Sequence, residues 1–451
     1  ETERHPPGLA YLAFTEVWER FSFYGMQALL VLYMVDHALL APQAQDVWGL
    51  GGLRAGLESV FGPLSTQAFA SQIFGLYTGF VYFTPVFGGM LGDRVLGPRR
   101  TVVLGALLLV LGHVLMAFEA SFVLALIVLV LGVGCLKGNI STQVGRLYPR
   151  GDPRRSHAFS LFNVAINVGA FVAPLVCGTL GEVYGWSWGF GAAAVGMLVG
   201  LAIYLIGGRH MPPDTVRRRE AGAPRPRLQP GDGRVIGALF AMLTLGTFFS
   251  IAYAQEFNVF PLWARETLDR DLFGWTTPVT WFAALDGAFI VGLTPIVLRL
   301  WQAQARRAAE PSDLGKMALG AGLGAMGMAC LAAASLAAAQ GGQVSMLWGI
   351  ACFALFGLGF LYQWPTTLAL ISNAAPSPVN ATMMGAAFFF SGFVSNYLAG
   401  WLGGLYGAMP PAQFWLMHGA ISLVGALATW AAIKPLNRVL ATASEVGAGT
   451  G

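Results

Sequence analysis

Four ionisable residues stand where charge is expensive. The stretch TEVWERFSFYGMQ, beginning at Thr15, lies inside a long apolar segment. In a helix, Glu16, Glu19 and Arg20 occupy positions i, i+3 and i+4 and share one face. Two acids meet one base, so the cluster carries one excess negative charge. The only other cation within an apolar stretch is Lys137, in GCLKGN. An ionised side chain at a bilayer centre costs about 2.5–3.5 kcal/mol on insertion scales, so such residues mark a pathway or a paired structural site. With both glutamates ionised, Lys137 can pair with the spare carboxylate. A proton on one glutamate frees Lys137 to hold an anionic group of a ligand, and proton and ligand binding become positively linked. The competing reading is a static salt-bridge network that locks helices together. Two acids against one base favour the proton-linked reading.

Further polar residues lie in apolar surroundings. Glu256 (AYAQEFNVF) and Asp286 (ALDGAF) have no basic neighbour in their own stretches. Each is neutral, faces a water cavity or meets an amine, and a lipid-facing position is disfavoured. His113 and His418 read as packed polar residues rather than proton relays. In GGMLGDRVLGPRR (88–100), Gly97 supplies a tight turn, and Asp93 with Arg94, Arg99 and Arg100 can form a charge network that latches one conformation. Topology charge alone is the plainer reading. Cys135, Cys177, Cys330 and Cys352 sit in apolar runs without a CxxC and read as packing residues. No nucleophile–base set, metal-ligand cluster or phosphate-binding glycine loop stands out. An enzyme is therefore disfavoured, and no metal or cofactor is expected beyond protons.

The elements that position these groups follow from composition. The 451 residues are 56% hydrophobic and 11% charged, whereas a soluble domain carries about 25% charged residues. About 20 apolar residues cross the hydrocarbon core as a helix. Twelve stretches qualify, at roughly 8–40, 67–92, 99–119, 121–147, 156–180, 187–207, 235–263, 277–300, 314–339, 344–372, 380–406 and 411–433. The class is an all-α polytopic membrane protein. Of the 26 Lys and Arg residues, 21 fall in one alternate set of connections, Arg54, Arg265 and Arg270 fall in the other, and Arg20 and Lys137 lie within spans. This bias puts both termini in the cytoplasm and requires an even number of spans. The Pro- and Arg-rich stretch 208–234 reads as a flexible cytoplasmic linker between a first six-helix bundle (1–207) and a second with its tail (235–451). Its arginines serve topology rather than nucleic-acid or acidic-lipid binding. Segment 41–66 is an outside loop, partly helical. No cleavable signal peptide is visible.

These motifs resemble the proton-dependent oligopeptide transporter family of the major facilitator superfamily over essentially the whole chain. Glu16-Val17-Trp18-Glu19-Arg20-Phe21 matches the family's ExxERF motif and is followed by Tyr24-Gly25-Met26. Lys137 with Asn139-Ile140-Ser141 resembles the fourth-helix lysine segment, and FNVAINVGAFVAP (162–174) the fifth-helix signature. The 88–100 loop resembles the superfamily's GxxxDRxGxRR loop. Met383-Met384-Gly385 and Asn396-Tyr397-Leu398-Ala399-Gly400 resemble the eleventh helix. The resemblance implies the major facilitator fold, two six-helix bundles of inverted three-helix repeats rocking about a midplane site. It assigns Glu16, Glu19, Arg20 and Lys137 to proton coupling and carboxylate binding, while the charge network of Asp93, Arg94, Arg99 and Arg100 is the expected cytoplasmic gate. Tyr24, Gln27, Lys137, Asn167, Glu256, Asp286, Phe360 and Trp364 then line the substrate cavity. Many bacterial members carry two extra helices between the halves, for which this linker is too short.

The departures cluster in that cavity. Gln27 stands where peptide-transporting members usually have an arginine, and Ala254 falls near its glutamate partner. Losing both leaves neither unpaired. Phe360 stands at the glutamate that holds the peptide amino group, Asp286 replaces a usual asparagine, Phe23 a tyrosine and Ala387 a tryptophan. The coupling groups are intact and the peptide-reading groups altered, with Asp286 or Glu256 available as a replacement anion for an amine. The expected function is proton-coupled import of di- and tripeptides across the cell inner membrane. One alternative is a non-peptide organic solute or anion, as in plant relatives that carry nitrate or metabolites. Another is a proton-coupled exporter. The expected partners are a small solute or peptide and membrane lipid, with no nucleic acid. The sequence leaves the oligomeric state open, a monomer sufficing.

Overall fold

Apolar segments that lack water to bond their backbone groups must satisfy them internally, which leaves the helix as the local solution. The computed structural model describes residues 5–149, 152, 154–214 and 228–448, the side chains of 441–448 excepted. Among them the long helices are α1 (Pro7–Tyr33, continued by a π-helical turn Met34–Ala38), α2 (Thr66–Leu96), α3 (Pro98–Leu115), α4 (Glu119–Arg146), α5 (Arg154–Tyr184) and α6 (Trp186–His210). They continue with α7 (Asp232–Asn258), α8 (Trp281–Arg306), α9 (Asp313–Gly341) and α10 (Leu347–Ala374). Helix α11 runs through Asn380–Phe388, Phe389–Val394 and Ser395–Gly403, and α12 is Pro411–Leu440.

Ten of these are long and apolar enough to cross a bilayer by length and composition alone. Helix α1 falls short because Glu16, Glu19 and Arg20 dilute its first half and Gln27, Asp36 and His37 its second, and α11 because Ser391, Ser395, Asn396 and Tyr397 do the same. Both have the length of a span, so the arrangement is the all-α polytopic one expected. Local differences from the sequence reading have simple causes. The expected span 235–263 is interrupted at Ala254 and Val259, and a separate short helix, Phe260–Thr267, begins at Phe260-Pro261, where proline has no N–H to give. The outside loop 41–66 holds a helix at Leu50–Phe61. Two-residue strands tie the loops: Leu268–Asp269 pairs in parallel with Val344–Ser345, and Asp271–Leu272 forms a hairpin with Trp275–Thr276. Of the expected linker 208–234, residues 215–227 lie outside the described residues.

The chain divides into two compact units. One contains residues 1–219 with Arg270–Gly287, and the other 220–269 with Ala288–Gly451. Chain order alone would put 270–287 with the later helices, but the hairpin and first turns of α8 group with the first six. Within the first unit α1 packs on α5 and α6, α3 on α4 and α6, and α2 on α4. Within the second, α9 packs on α10 and α12, and α7 on α11 and α12. One core of the second unit gathers Leu239, Met242, Leu243, Met317 and Ile371.

Two glycines of the first unit set the distances that matter for its charges. A Cβ on Gly169 of α5 would stand 2.4 Å from the Val17 carbonyl and 2.7 Å from the Arg20 Cβ. A Cβ on Gly88 of α2 would stand 1.9 Å from the Gly134 carbonyl of α4. Small residues let helix backbones approach where the bilayer gives no hydrophobic drive for association. Overpacking such a contact costs about 1–3 kcal/mol. Gly169→Val is therefore expected to lower the melting temperature of the purified protein by several degrees. Gly191→Ala, whose added methyl meets nothing within 4 Å, leaves it unchanged. Differential scanning fluorimetry in detergent reads both.

Candidate functional site

The charge cluster of α1 is fully withdrawn from solvent: Glu16 is 2%, Glu19 0% and Arg20 3% exposed. The guanidinium is shared unequally. Arg20 Nη2 donates to Glu19 Oε1 at 2.8 Å, and Arg20 Nε donates to Glu19 Oε2. Glu16 receives a single contact, Oε1 lying 3.2 Å from the same Nε. Its other oxygen, Oε2, is buried with no hydrogen-bond partner among the described residues. A buried carboxylate that lacks partners is costly, and a proton removes its charge. The unequal division follows from helix geometry and crowding. Phe23 stacks 5.3 Å from the guanidinium carbon, and Gly169 brings the backbone of α5 against Arg20.

Lys137 reaches this neighbourhood from α4. Gly88 against Gly134, together with Asn139 Nδ2 donating to the Gly88 carbonyl at 2.8 Å, fixes α4 on α2. Thr84 Oγ1 adds a bond of 3.1 Å to the Val130 carbonyl. The ammonium sits over the ring of Tyr82 at 4.4 Å and within electrostatic reach of Glu16, Glu19 and Arg20. No carboxylate among the described residues comes within 4 Å of it. Lys137 is partly exposed while the α1 cluster is sealed. The four residues thus share one neighbourhood, and the lysine rests on an aromatic face rather than on an acid.

The remaining cavity candidates divide between the units. In the first, Tyr24 lies one turn beyond Arg20, and both Tyr24 and Tyr82 feel the charge of Asp286. Asp286 therefore lies near the two tyrosines. Gln27 is 6% exposed, and its Oε1 has no hydrogen-bond partner among the described residues. Asn167 is partly exposed and donates to the Asn163 carbonyl at 2.8 Å. A Cβ on Gly287 would stand 3.8 Å from its carbonyl oxygen. In the second unit Glu256 is buried at the interruption of α7, within electrostatic reach of Cys352. Phe360 stacks on Tyr253 at 5.6 Å, and Trp364 meets Phe388 edge-on at 5.1 Å. Gln255 bonds the Ala399 carbonyl at 2.9 Å and His418 at 3.0 Å, so His418 is a packed polar residue. His113 is buried and its ring nitrogens have no hydrogen-bond partner among the described residues. All four cysteines are free thiols.

The 88–100 loop pairs differently from the sequence reading. Asp93 meets Arg146 of α4 at 3.6 Å rather than Arg94, Arg99 or Arg100. The chain reverses at Gly97 (φ +85°), which leaves Asp93 on the end of α2 and puts Arg99 and Arg100 on the first turn of α3. There Asp214 accepts from the Arg99 N–H at 3.0 Å and lies 3.8 Å from Arg100 Nε. Its carboxylate serves as a cap in trans for a helix N-terminus, where negative charge is favoured. Arg94 is exposed and makes no ion pair among the described residues. Sequence reasoning missed Asp214, Arg146, Tyr82 and Glu182. Tyr82 carried a usable signal, as a phenol in an apolar run one helix away from an isolated lysine. The other three are charges at span ends that resemble topology signals.

Opposing charges buried on long apolar helices mark a solute pathway or a paired structural site in a polytopic α-helical protein. The family model described as POT family matches residues 99–218 and 229–416. The chain belongs to the POT family. It is 31% identical to Peptide transporter YePEPT of Yersinia enterocolitica subsp. palearctica serotype O:3 (strain YE-P4), over 89% of this chain and 88% of that one. It is 30% identical to the Di-/tripeptide transporter of Lactococcus lactis subsp. lactis (strain IL1403), over 96% of both. A solved structure of a peptide transporter POT in complex with sulfate matches with a TM-score of 0.83 at 26% identity, over 97% of this chain and 96% of that one.

The Lys137–Tyr82 contact generates a direct expectation. A desolvated cation–π contact is worth about 0.5–2 kcal/mol. Tyr82→Leu should raise the half-saturating substrate concentration by roughly 2- to 30-fold, while Tyr82→Phe, which keeps the ring, stays near wild type. Uptake titrations into proteoliposomes distinguish the two.

Proposed function

We propose that this chain imports small peptides, di- and tripeptides, by proton-coupled symport through alternating access. The observation that carries the reading is the buried Glu16 oxygen without a hydrogen-bond partner among the described residues, beside a guanidinium already held by Glu19. A proton on Glu16 neutralises the excess charge. Lys137, then no longer drawn toward a spare carboxylate, is available to the carboxylate of a peptide. The ring of Tyr82 holds the ammonium in that released position. Each ligand removes the cost of the other, and such couplings typically reach 1–3 kcal/mol. Protons are the coupling ion, and no other cofactor enters the reading.

The peptide assignment is supported by YePEPT and the Lactococcus transporter, whose names specify peptides, and this support disfavours the alternative of a non-peptide anion. Import rather than export follows if the proton and the solute enter together. We also assign both termini to the cytoplasm and the protein to the inner membrane. The support is the side on which Arg94, Arg99, Arg100, Arg146 and Arg209 gather. On that side the Asp93–Arg146 pair and the Asp214 cap of α3 are candidates for contacts that differ between conformations. A single chain suffices for this cycle.

Proteoliposomes with an imposed inward proton gradient test the reading. Alanyl-alanine should accumulate in wild type and dissipate with a protonophore. Glu16→Gln fixes the neutral state. It should cut proton-driven accumulation by about tenfold or more, equivalent to about 1.4 kcal/mol of lost coupling, while counterflow exchange without a gradient persists. Accumulation of neither dipeptides nor tripeptides by the wild type would reject the peptide assignment.

A further inference from the structure

The hairpin that leads into α8 carries a residue in a conformation that its type disfavours. Asp271–Leu272 and Trp275–Thr276 are joined by two residues, Phe273 and Gly274. Both have positive φ, +56° at Phe273 and +83° at Gly274. Such turns match the twist of a hairpin and favour Asn-Gly, Asp-Gly or Gly-Gly. For a residue with a side chain, this region costs about 1–2 kcal/mol. Asp271 Oδ1 accepts from the Gly274 N–H at 2.8 Å, and Arg270 Nη1 donates to the Thr277 carbonyl at 2.6 Å. These bonds close the turn and leave the phenyl ring at its tip, fully exposed. Backbone strain persists where the surroundings hold it, and it concentrates at functional sites.

The hairpin has two unlike faces. Leu272 pairs with Trp275, and Asp271 with Thr276. Opposed residues share a face and successive residues alternate. One face is therefore Leu272 and Trp275, and the other Asp271 and Thr276. Leu272 and Trp275 are exposed, as is Phe273 at the tip. The depth of this apolar edge follows from its neighbours. The Trp275 ring lies 5.2 Å from that of Trp281. Trp281 Nε1 donates at 2.8 Å to Thr179 Oγ1, which stands about 7–8 Å along the helix axis before Tyr184, where α5 ends. Glu182 accepts from the Val279 and Thr280 N–H groups at 2.9 and 2.8 Å. The Trp275 ring is thus held level with the last turns of a membrane-spanning helix, not beyond them. This is the end of α5 away from Arg154. Val183, Tyr184 and Trp188 are exposed there as well, and Trp and Tyr gather at membrane–water interfaces.

We propose that the apolar edge of this hairpin, Leu272, Phe273 and Trp275, is a lipid anchor seated in the headgroup and upper acyl region of the bilayer, with Asp271 and Thr276 facing water. The leaflet is the one at the Tyr184 end of α5. Burying a side chain such as phenylalanine is worth about 1.5–3 kcal/mol, enough to offset the strain at Phe273. A protein partner fits less well. Three side chains offer roughly 500–600 Å² even when fully covered, and a specific protein interface buries about 1,200–2,000 Å². The hairpin runs through Thr277 and Pro278 into Val279 and Thr280, the residues that Glu182 holds. Lipid on one side and Glu182 on the other thus fix the chain where α8 begins. The placement is independent of the solute that the protein carries.

Photo-crosslinking of the full chain in nanodiscs of phosphatidylethanolamine and phosphatidylglycerol tests the anchor. Phe273 is replaced by p-benzoylphenylalanine, which keeps the ring and inserts into nearby C–H bonds on irradiation. Mass spectrometry should find the peptide containing residue 273 joined to a lipid. The same replacement at Gln343, an exposed residue in the same alternate set of connections, should give no lipid adduct. Absence of a lipid adduct at 273, equal labelling at 273 and 343, or a crosslink from 273 to protein overturns the proposal. Hydrogen–deuterium exchange gives a second reading. Phe273→Asn supplies a residue that the turn favours and removes the ring. In nanodiscs it should raise exchange through residues 271–276. Unchanged or slower exchange there would mean that turn geometry alone holds the hairpin, and the anchor falls.

Discussion

One guanidinium serves two carboxylates in a place without water. Arg20 gives Glu19 two hydrogen bonds and leaves Glu16 one contact, with one Glu16 oxygen facing no donor among the described residues. An ion pair with good geometry survives burial, and an added uncompensated charge does not. The cluster is therefore a balanced pair plus a group whose charge must be supplied from elsewhere, by a proton or by Lys137. Much of the first unit serves to bring these options together. Gly169 lets α5 approach Arg20 closely, and Gly88, Gly134 and Asn139 fix α4 on α2 so that Lys137 comes within reach. The tyrosine ring under the ammonium gives the lysine a resting place when no acid claims it.

The same economy governs the helix ends. Asp214 caps α3 from a distant part of the chain, satisfying an N–H that the helix leaves open, and Glu182 at the end of α5 holds Val279 and Thr280, the two residues that lead into α8. Each also ties together two elements far apart in sequence. The hairpin and first turns of α8 accordingly group with the first six helices. Asp286 comes after the sixth helix in chain order, yet it groups with the first unit.

The spans, the α1 charge face and the isolation of Lys137 were legible because they rest on composition and on helical periodicity, both local properties. The family followed from motifs spread along the chain. What stayed illegible depends on contacts between distant segments. The sequence paired Asp93 with neighbouring arginines, whereas Gly97 turns those arginines away and Arg146 of α4 takes the acid. Asp286 read as a second-half residue because nothing in the order of residues shows that α8 begins on α5. Tyr82 looked like one more aromatic group in an apolar run. Glu182 and Asp214 resembled ordinary span-end charges, since a contact supplied in trans leaves no local signature.

The account stands on proton uptake being the counterpart of substrate binding at Glu16. Isothermal titration of alanyl-alanine into the purified protein, in buffers of different ionisation enthalpy, measures that uptake directly. The account predicts about one proton taken up per dipeptide bound by wild type near neutral pH, and none by Glu16→Gln that still binds the dipeptide. Binding without proton uptake in wild type, or undiminished uptake in Glu16→Gln, would contradict it.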